Sequence, residues 1–307
     1  MHKICIVGAG RVGESTAQII AKEELCREVA LLDIHEGVPQ GIALDIQQSA
    51  SLLRFDTRVT GDTDPAIMAD SDMVIITAGF PRKPGMSRSD VLEANLSIID
   101  GLVDHAVKFA PDAMIMMVTN PVDVLTWRAW QRSGWSRNRV FGQSGALDTA
   151  RMISFIALET GYSIKDISAL VLGGHGDAMV PLPRFTDISG IPIEHFLGTA
   201  TIEQIAERTR QGGGEILALK KHSSAYDSPA AAIASMVDAI QHNRKRILPC
   251  VSILEGEYGQ QGIAMGVPAV LDENGLVKIV ELKLNASEQK DFDRSADMVR
   301  ADIRLLP

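Results

Sequence analysis

The chain has 307 residues, 46% of them hydrophobic and 22% charged, an ordinary globular balance that speaks against disorder; at roughly 100–200 residues per domain it is long enough for two packed domains. Thirty basic side chains against thirty-nine acidic ones leave a net charge of −9, the wrong sign for a nucleic-acid partner. Cys5, Cys26 and Cys250 are widely spaced and unpaired in motif, which excludes a disulfide framework or zinc cluster and fits a reducing compartment.

The elements follow in order. Lys3 to Val7 reads as a short buried strand, and Gly8-Ala9-Gly10-Arg11-Val12-Gly13 leads from it into an amphipathic helix ending near Glu24. Nothing ahead of that strand is long enough for a cleavable signal. Val29 to Leu32 gives a second strand ending at Asp33, and Met73 to Thr77 and Ala113 to Thr119 give two more. Ala113 to Val118 is the longest wholly apolar run, six residues, against about 20 for a membrane span; the expected location is cytoplasmic, with no membrane partner. Strands alternating with helices predict an α/β fold with a Rossmann-type doubly wound parallel sheet.

Gly79 to Arg88, with two prolines, cannot form a regular helix or central strand and reads as an exposed basic loop. Pro121 opens the next helix, where its missing N–H does no harm. Beyond about Gly142 the alternation stops. A helix from Asp148 to Thr160, a strand from Ser168 to Leu172, helices over Ile202 to Lys221 and Pro229 to His242, strands over Leu248 to Leu254 and Gly262 to Leu271, and a helix from Ser287 predict a second, mixed α+β substrate domain. The boundary is drawn between 1–143, which carries the cofactor, and 144–307. Gly212-Gly213-Gly214 either bends its helix or lets something approach closely.

A strand, a GxGxxG turn, a helix, and then an acid about 20 residues beyond Gly13 at the end of the next strand form a dinucleotide fingerprint. Gly8 permits the turn, Gly10 lets backbone reach the pyrophosphate, Gly13 permits close packing, and the helix N-terminus attracts the anion. Asp33 accepts from the adenosine ribose hydroxyls and repels a 2′-phosphate, so NAD is the expected cofactor. Such a site needs proton chemistry beside it. His175, set among glycines in Gly173-Gly174-His175-Gly176-Asp177, is the best base. Asp148 and Arg151 stand three residues apart at a helix start, hence on one face; the first would orient the histidine and the second would clamp a carboxylate. Arg82, Lys83 and Arg88 make the 79–88 loop either a merely solvated one or a lid that carries charge onto an anionic ligand.

Together these stretches, with Gly37 to Ile46, Thr119 to Asp123 and Leu147 to Arg151, resemble the lactate/malate dehydrogenase family along nearly the whole chain, within it the lactate-dehydrogenase-like malate dehydrogenases. The resemblance implies His175 as proton acceptor and donor, Asp148 as its orienting carboxylate, and Arg151 as partner of the substrate carboxylate beside the reacting carbon. It further implies Asn120 as a contact to both substrate and nicotinamide, Arg88 as the group polarising the carbonyl, and Asn95, Val118 and Thr119 as cofactor contacts, with no metal. Arg82 stands where lactate-specific relatives usually carry glutamine, which implies a dicarboxylate, malate or oxaloacetate, as substrate. The implied role is a step of the tricarboxylic acid cycle, and the implied assembly a homotetramer or homodimer; the helix faces at Glu14 to Lys22 and Pro229 to Ile240 are candidate contacts. Gln143-Ser144-Gly145-Ala146 and Asp227-Ser228 depart from common family residues without removing a catalytic group. The alternatives are a dehydrogenase for lactate or another 2-hydroxy acid, a metal-using NAD-dependent glycosidase, and a non-catalytic NAD sensor.

Overall fold

The computed structural model describes residues 1–80 and 88–306, with the backbone alone at 88–91. Its first half contains β1 (Lys3–Val7), α1 (Arg11–Lys22), β2 (Glu28–Leu32), α2 (Val38–Leu53), β3 (Arg58–Asp62), β4 (Met73–Ile76), α3 (Arg88–Phe109), β5 (Met114–Met117), α4 (Val122–Ser133) and β6 (Val140–Gly142). The strands lie in the order β3-β2-β1-β4-β5-β6, all parallel. Short apolar runs suit this place, because strands covered by helices on both faces bury every side chain. In β1, Ile4 and Ile6 enter the same core as Ile20 of α1 and Ile233 from the second half, while Cys5 and Val7 join Leu92 of α3 and Leu125 of α4 on the other face. Burying each large aliphatic side chain contributes about 1.5–3 kcal/mol.

The second half contains α5 (Gly145–Thr160), β7 (Ile167–Ser168), β8 (Val171–Gly173), β9 (Met179–Pro181), β10 (Asp187–Ile188), β11 (Ile191–Pro192), α6 (Thr199–Lys220), α7 (Asp227–Gln241), β12 (Arg246–Glu255), β13 (Gln261–Asp272), β14 (Gly275–Ile279) and α8 (Ala286–Ile303). Its long strands β12 and β13 pair antiparallel. Gly142 of β6 pairs with Val251 of β12, and Gly266 of β13 with Gly173 of β8, so one 11-stranded sheet runs through both halves.

Several expectations change. The single strand over 168–172 is two strands in different sheets: β7 pairs with β10, and β8 with β9 and β13. Arg88 is not the end of a loop but the first residue of α3. The glycine triplet interrupts nothing, since α6 runs through it. The faces of α1 and α7 considered for subunit contacts pack against one another within the chain, burying Ala17, Ile20, Ile233 and Val237.

Candidate active site

Gly8 closes the turn after β1 at φ +102°, and a Cβ there would meet the Ala78 nitrogen at 2.6 Å. Gly13 is held closer still: its Cβ would lie 1.9 Å from the Gly8 carbonyl oxygen. At Gly10, the N-cap of α1, no side chain caps the helix and an added Cβ would meet nothing within 4 Å. There is thus room beside the uncapped start of α1, where the first N–H groups lack intrahelical partners, and this fits a pyrophosphate. Ala9 is buried, Arg11 exposed and Val12 half-buried.

Asp33 follows β2 directly. Its Oδ2 accepts the Ala9 N–H at 2.8 Å, and its Oδ1 accepts from the His35 N–H at 3.1 Å and faces His35 Nδ1 at 2.6 Å. Partial burial opposes the charge, but these donors outweigh it and hold the carboxyl below its ordinary pKa. The residues present thus suit the dinucleotide: an anion cradle and, one strand away, an ionised ribose acceptor.

Residues 118–120 lie just beyond β5. The Val118 N–H bonds to the Ile76 carbonyl at 2.9 Å, and the Thr119 hydroxyl donates to the Ala78 carbonyl at 2.7 Å. Asn120 is exposed. Asn95, read from sequence as a cofactor contact, is fully buried, and its amide is engaged with the protein. It accepts the Phe80 N–H at 2.7 Å and donates to the carbonyls of Asn120 at 3.0 Å and Phe80 at 3.3 Å.

Asp148, Arg151 and His175 come together. Gly145 to Arg151 form the opening turns of α5, which place both charged side chains on the face toward the loop after β8. His175 Nδ1 lies 2.9 Å from Asp148 Oδ2, and Arg151 Nη1 donates to Asp148 Oδ1 at 3.1 Å. With Nδ1 so held, Nε2 is the nitrogen left for chemistry. Burial disfavours the imidazolium, and Arg151 adds to that. The Asp148 and Asp123 carboxylates prevail, so the histidine pKa is raised.

Arg151 is nearly buried, with 12% of its side chain exposed, and its Nε has no hydrogen-bond partner among the described residues. A desolvated donor of this kind suits an anionic ligand, since a buried N–H left unbonded is costly. The glycines of α6 explain how it fits. A Cβ at Gly212 would stand 3.1 Å from Arg151 Cδ, and one at Gly213 would stand 3.5 Å from Nη2. Sequence reasoning left close approach as one of two options; the guanidinium is what approaches. It overlooked Asp123, whose place in the first turn after Asn120-Pro121 was the available signal.

Arg82 and the side chain of Arg88 lie outside the described residues. Among the described residues, no group of three or more His, Cys, Asp or Glu is arranged to hold a metal, and no helix is long and apolar enough to cross a membrane.

Two family models match the chain: the lactate/malate dehydrogenase NAD-binding domain over residues 2–142, and the lactate/malate dehydrogenase α/β C-terminal domain over residues 145–306. The chain is 62% identical to a malate dehydrogenase of Thioalkalivibrio sulfidiphilus over 306 residues, covering 100% of both chains. It is 65% identical to one of Nitrosococcus oceani, covering 100% of this chain and 98% of that one. Among solved structures it matches the malate dehydrogenase of Salinibacter ruber at a TM-score of 0.95 and 43% identity, over 99% of this chain and 97% of that one. A lactate dehydrogenase of Cryptosporidium parvum with lactic acid and nicotinamide adenine dinucleotide bound also matches at a TM-score of 0.95, with 36% identity over 99% and 97% of the two chains. The fold alone does not separate the two activities.

Proposed function

The chain belongs to the lactate/malate dehydrogenase family, and from that premise we propose that Asp148, Arg151 and His175 form the active centre for its reaction. The enzyme is an NAD-dependent oxidoreductase that interconverts malate and oxaloacetate. The observation that carries the site assignment is the buried Arg151 guanidinium, with an unspent Nε, next to a carboxylate-held imidazole.

When bound, NAD supplies the hydride acceptor for malate oxidation. Gly8, Ala9, Gly10, Arg11, Val12 and Gly13 would hold its pyrophosphate, Asp33 its adenosine ribose, and 118–120 the nicotinamide side. Arg151 pairs with the carboxylate next to the reacting carbon, and Arg82 with the distal one. His175 Nε2 removes the hydroxyl proton, and Asp148 stabilises the imidazolium that results. In the reverse direction His175 returns the proton, while Arg88 and Asn120 stabilise charge on the carbonyl oxygen. Asn95 supports this arrangement from below, through Phe80 and Asn120.

The division at 143/144, with cofactor chemistry before it and substrate chemistry after it, is supported by the separate matches over 2–142 and 145–306. We assign the protein to the cytoplasm and to the malate-oxidising step of the tricarboxylic acid cycle, as a homodimer or homotetramer. Exposed Leu44 and Leu52 on α2 support an assembly contact there.

An NADH-consumption assay with oxaloacetate and pyruvate tests the substrate reading. Oxaloacetate is expected to be turned over with the higher kcat/KM, and equal values would refute the dicarboxylate assignment. Asp33→Ser is expected to raise the NADPH-to-NADH ratio of kcat/KM by at least about tenfold, because it removes the charge opposed to a 2′-phosphate. An unchanged ratio in a competition assay would remove Asp33 from cofactor selection.

A further inference from the structure

One buried carboxylate outside the catalytic cluster touches the loop that carries the histidine. Asp123 lies in the first turn of α4, three positions after Asn120, and is 5% exposed. Its Oδ2 accepts the main-chain N–H of His175 at 2.8 Å. The neighbouring Gly174 N–H donates to Ser295 Oγ of α8 at 2.8 Å, and a Cβ at Gly174 would stand 3.6 Å from the same Asp123 oxygen. The loop is thus held from three elements: α4 through Asp123, α5 through Asp148 on the ring, and α8 through Ser295.

Resting on the reading of His175 as the acid–base group, we infer that Asp123 is a positioning residue that fixes the His175 loop relative to the Asn120 segment. Asn120 and His175 come from different halves of the chain, yet both must meet the same oxygen of the substrate. Asp123 is three positions beyond the first and bonded to the backbone of the second, so it ties their separation together. A hydrogen bond accepted by an ionised carboxylate is stronger than a neutral one, and it resists displacement of the loop. Small displacements matter here, because misplacement by about 1 Å costs on the order of a hundredfold in rate.

The carboxylate also acts on the ring through space. Among the described residues, the charged groups acting on His175 are Asp148 and Arg151 from α5 and Asp123 from α4, while α8 contributes the uncharged Ser295 to the adjacent residue. Burial lowers the imidazole pKa, Asp148 raises it, Arg151 lowers it and Asp123 raises it. Removing the charge of Asp123 while retaining its acceptor should therefore favour the neutral ring.

The test compares the full-length enzyme with its Asp123→Asn and Asp123→Ala variants. It reads thermal midpoint, NADH affinity, kcat and KM for oxaloacetate, and the His175 ring titration by NMR of histidine-labelled protein. In Asp123→Asn the amide oxygen still accepts the His175 N–H. Thermal midpoint and NADH affinity are expected to hold, while the ring titrates measurably lower, and the upper limb of kcat/KM for oxaloacetate moves with it. In Asp123→Ala the acceptor is lost as well, and kcat is expected to fall by at least about tenfold with NADH affinity retained.

A ring titration unmoved in Asp123→Asn, together with kcat within about twofold of the parent in both variants, would overturn the proposal. So would a loss in Asp123→Ala that only matches its unfolded fraction. A ring that titrates lower in Asp123→Asn while the pH profile of turnover stays fixed, with kcat still lost in folded Asp123→Ala, would keep the positioning role and instead sink the assignment of His175 as acid and base.

Discussion

His175→Asn is expected to lower kcat for oxaloacetate reduction and malate oxidation by roughly a thousandfold, within the range of losses for a missing general acid–base group, while NADH affinity stays near that of the parent. Asparagine keeps the main-chain N–H that Asp123 accepts, so the loop retains that anchor, but its amide neither takes nor gives a proton near neutral pH. Fluorescence titration of NADH and steady-state rates in both directions check it. Survival of more than about a tenth of kcat would remove His175 from the proton step. A matching pH signature is expected of the parent enzyme. Its imidazole pKa lies above the ordinary 6.5 because the carboxylates outweigh burial. Oxaloacetate reduction needs the charged ring, so it is full below the raised value and lost as pH rises through it. Malate oxidation needs the neutral ring and has the opposite dependence, rising over the same interval. The imidazolium's contribution to folding runs with the former: present below the unfolded pKa, and lost as pH climbs through the folded one.

Arg82→Gln is expected to shift the pyruvate-to-oxaloacetate ratio of kcat/KM toward pyruvate by roughly a thousandfold, the equivalent of about 4 kcal/mol. Oxaloacetate carries a distal carboxylate and pyruvate a methyl group. Enclosing that carboxylate without a cation costs several kcal/mol, and enclosing Arg82 over a methyl group strands the guanidinium in the same way. Glutamine removes the penalty for pyruvate and imposes one on oxaloacetate, so the two substrates move in opposite directions. A ratio within about threefold of the parent would mean that the distal charge is recognised elsewhere.

The parallel half was largely legible because its signals are local. The turn at Gly8 to Gly13 needs glycine for reasons of backbone geometry, and Asp33 ends a run whose neighbours are all buried. β3 (Arg58–Asp62) escaped notice because an edge strand needs little apolar surface: of its five residues only Val59 is buried. The 168–172 segment misled for a different reason. Its alternation is that of a strand, but periodicity does not say which sheet a strand joins, and residues 169 and 170 carry the chain from one sheet to another. Asp148 and Arg151 could be put on one face from their spacing alone. The bond from His175 to Asp123 spans 52 positions, and the approach of Arg151 to Gly212 spans more; no local pattern encodes either. The bonds of the Asn95 amide to the backbone of Phe80 and Asn120 span 15 and 25 positions and are likewise not legible from local pattern.

The pairing of Gly142 with Val251 has a mechanical consequence. A cut between the two family-matched portions would strip hydrogen-bonding partners from β6 on one piece and from β12 on the other, leaving two raw, sticky borders. The two portions are matched separately as families, yet they share one continuous hydrogen-bonded ladder, and each would lose a bordering strand if it were made alone.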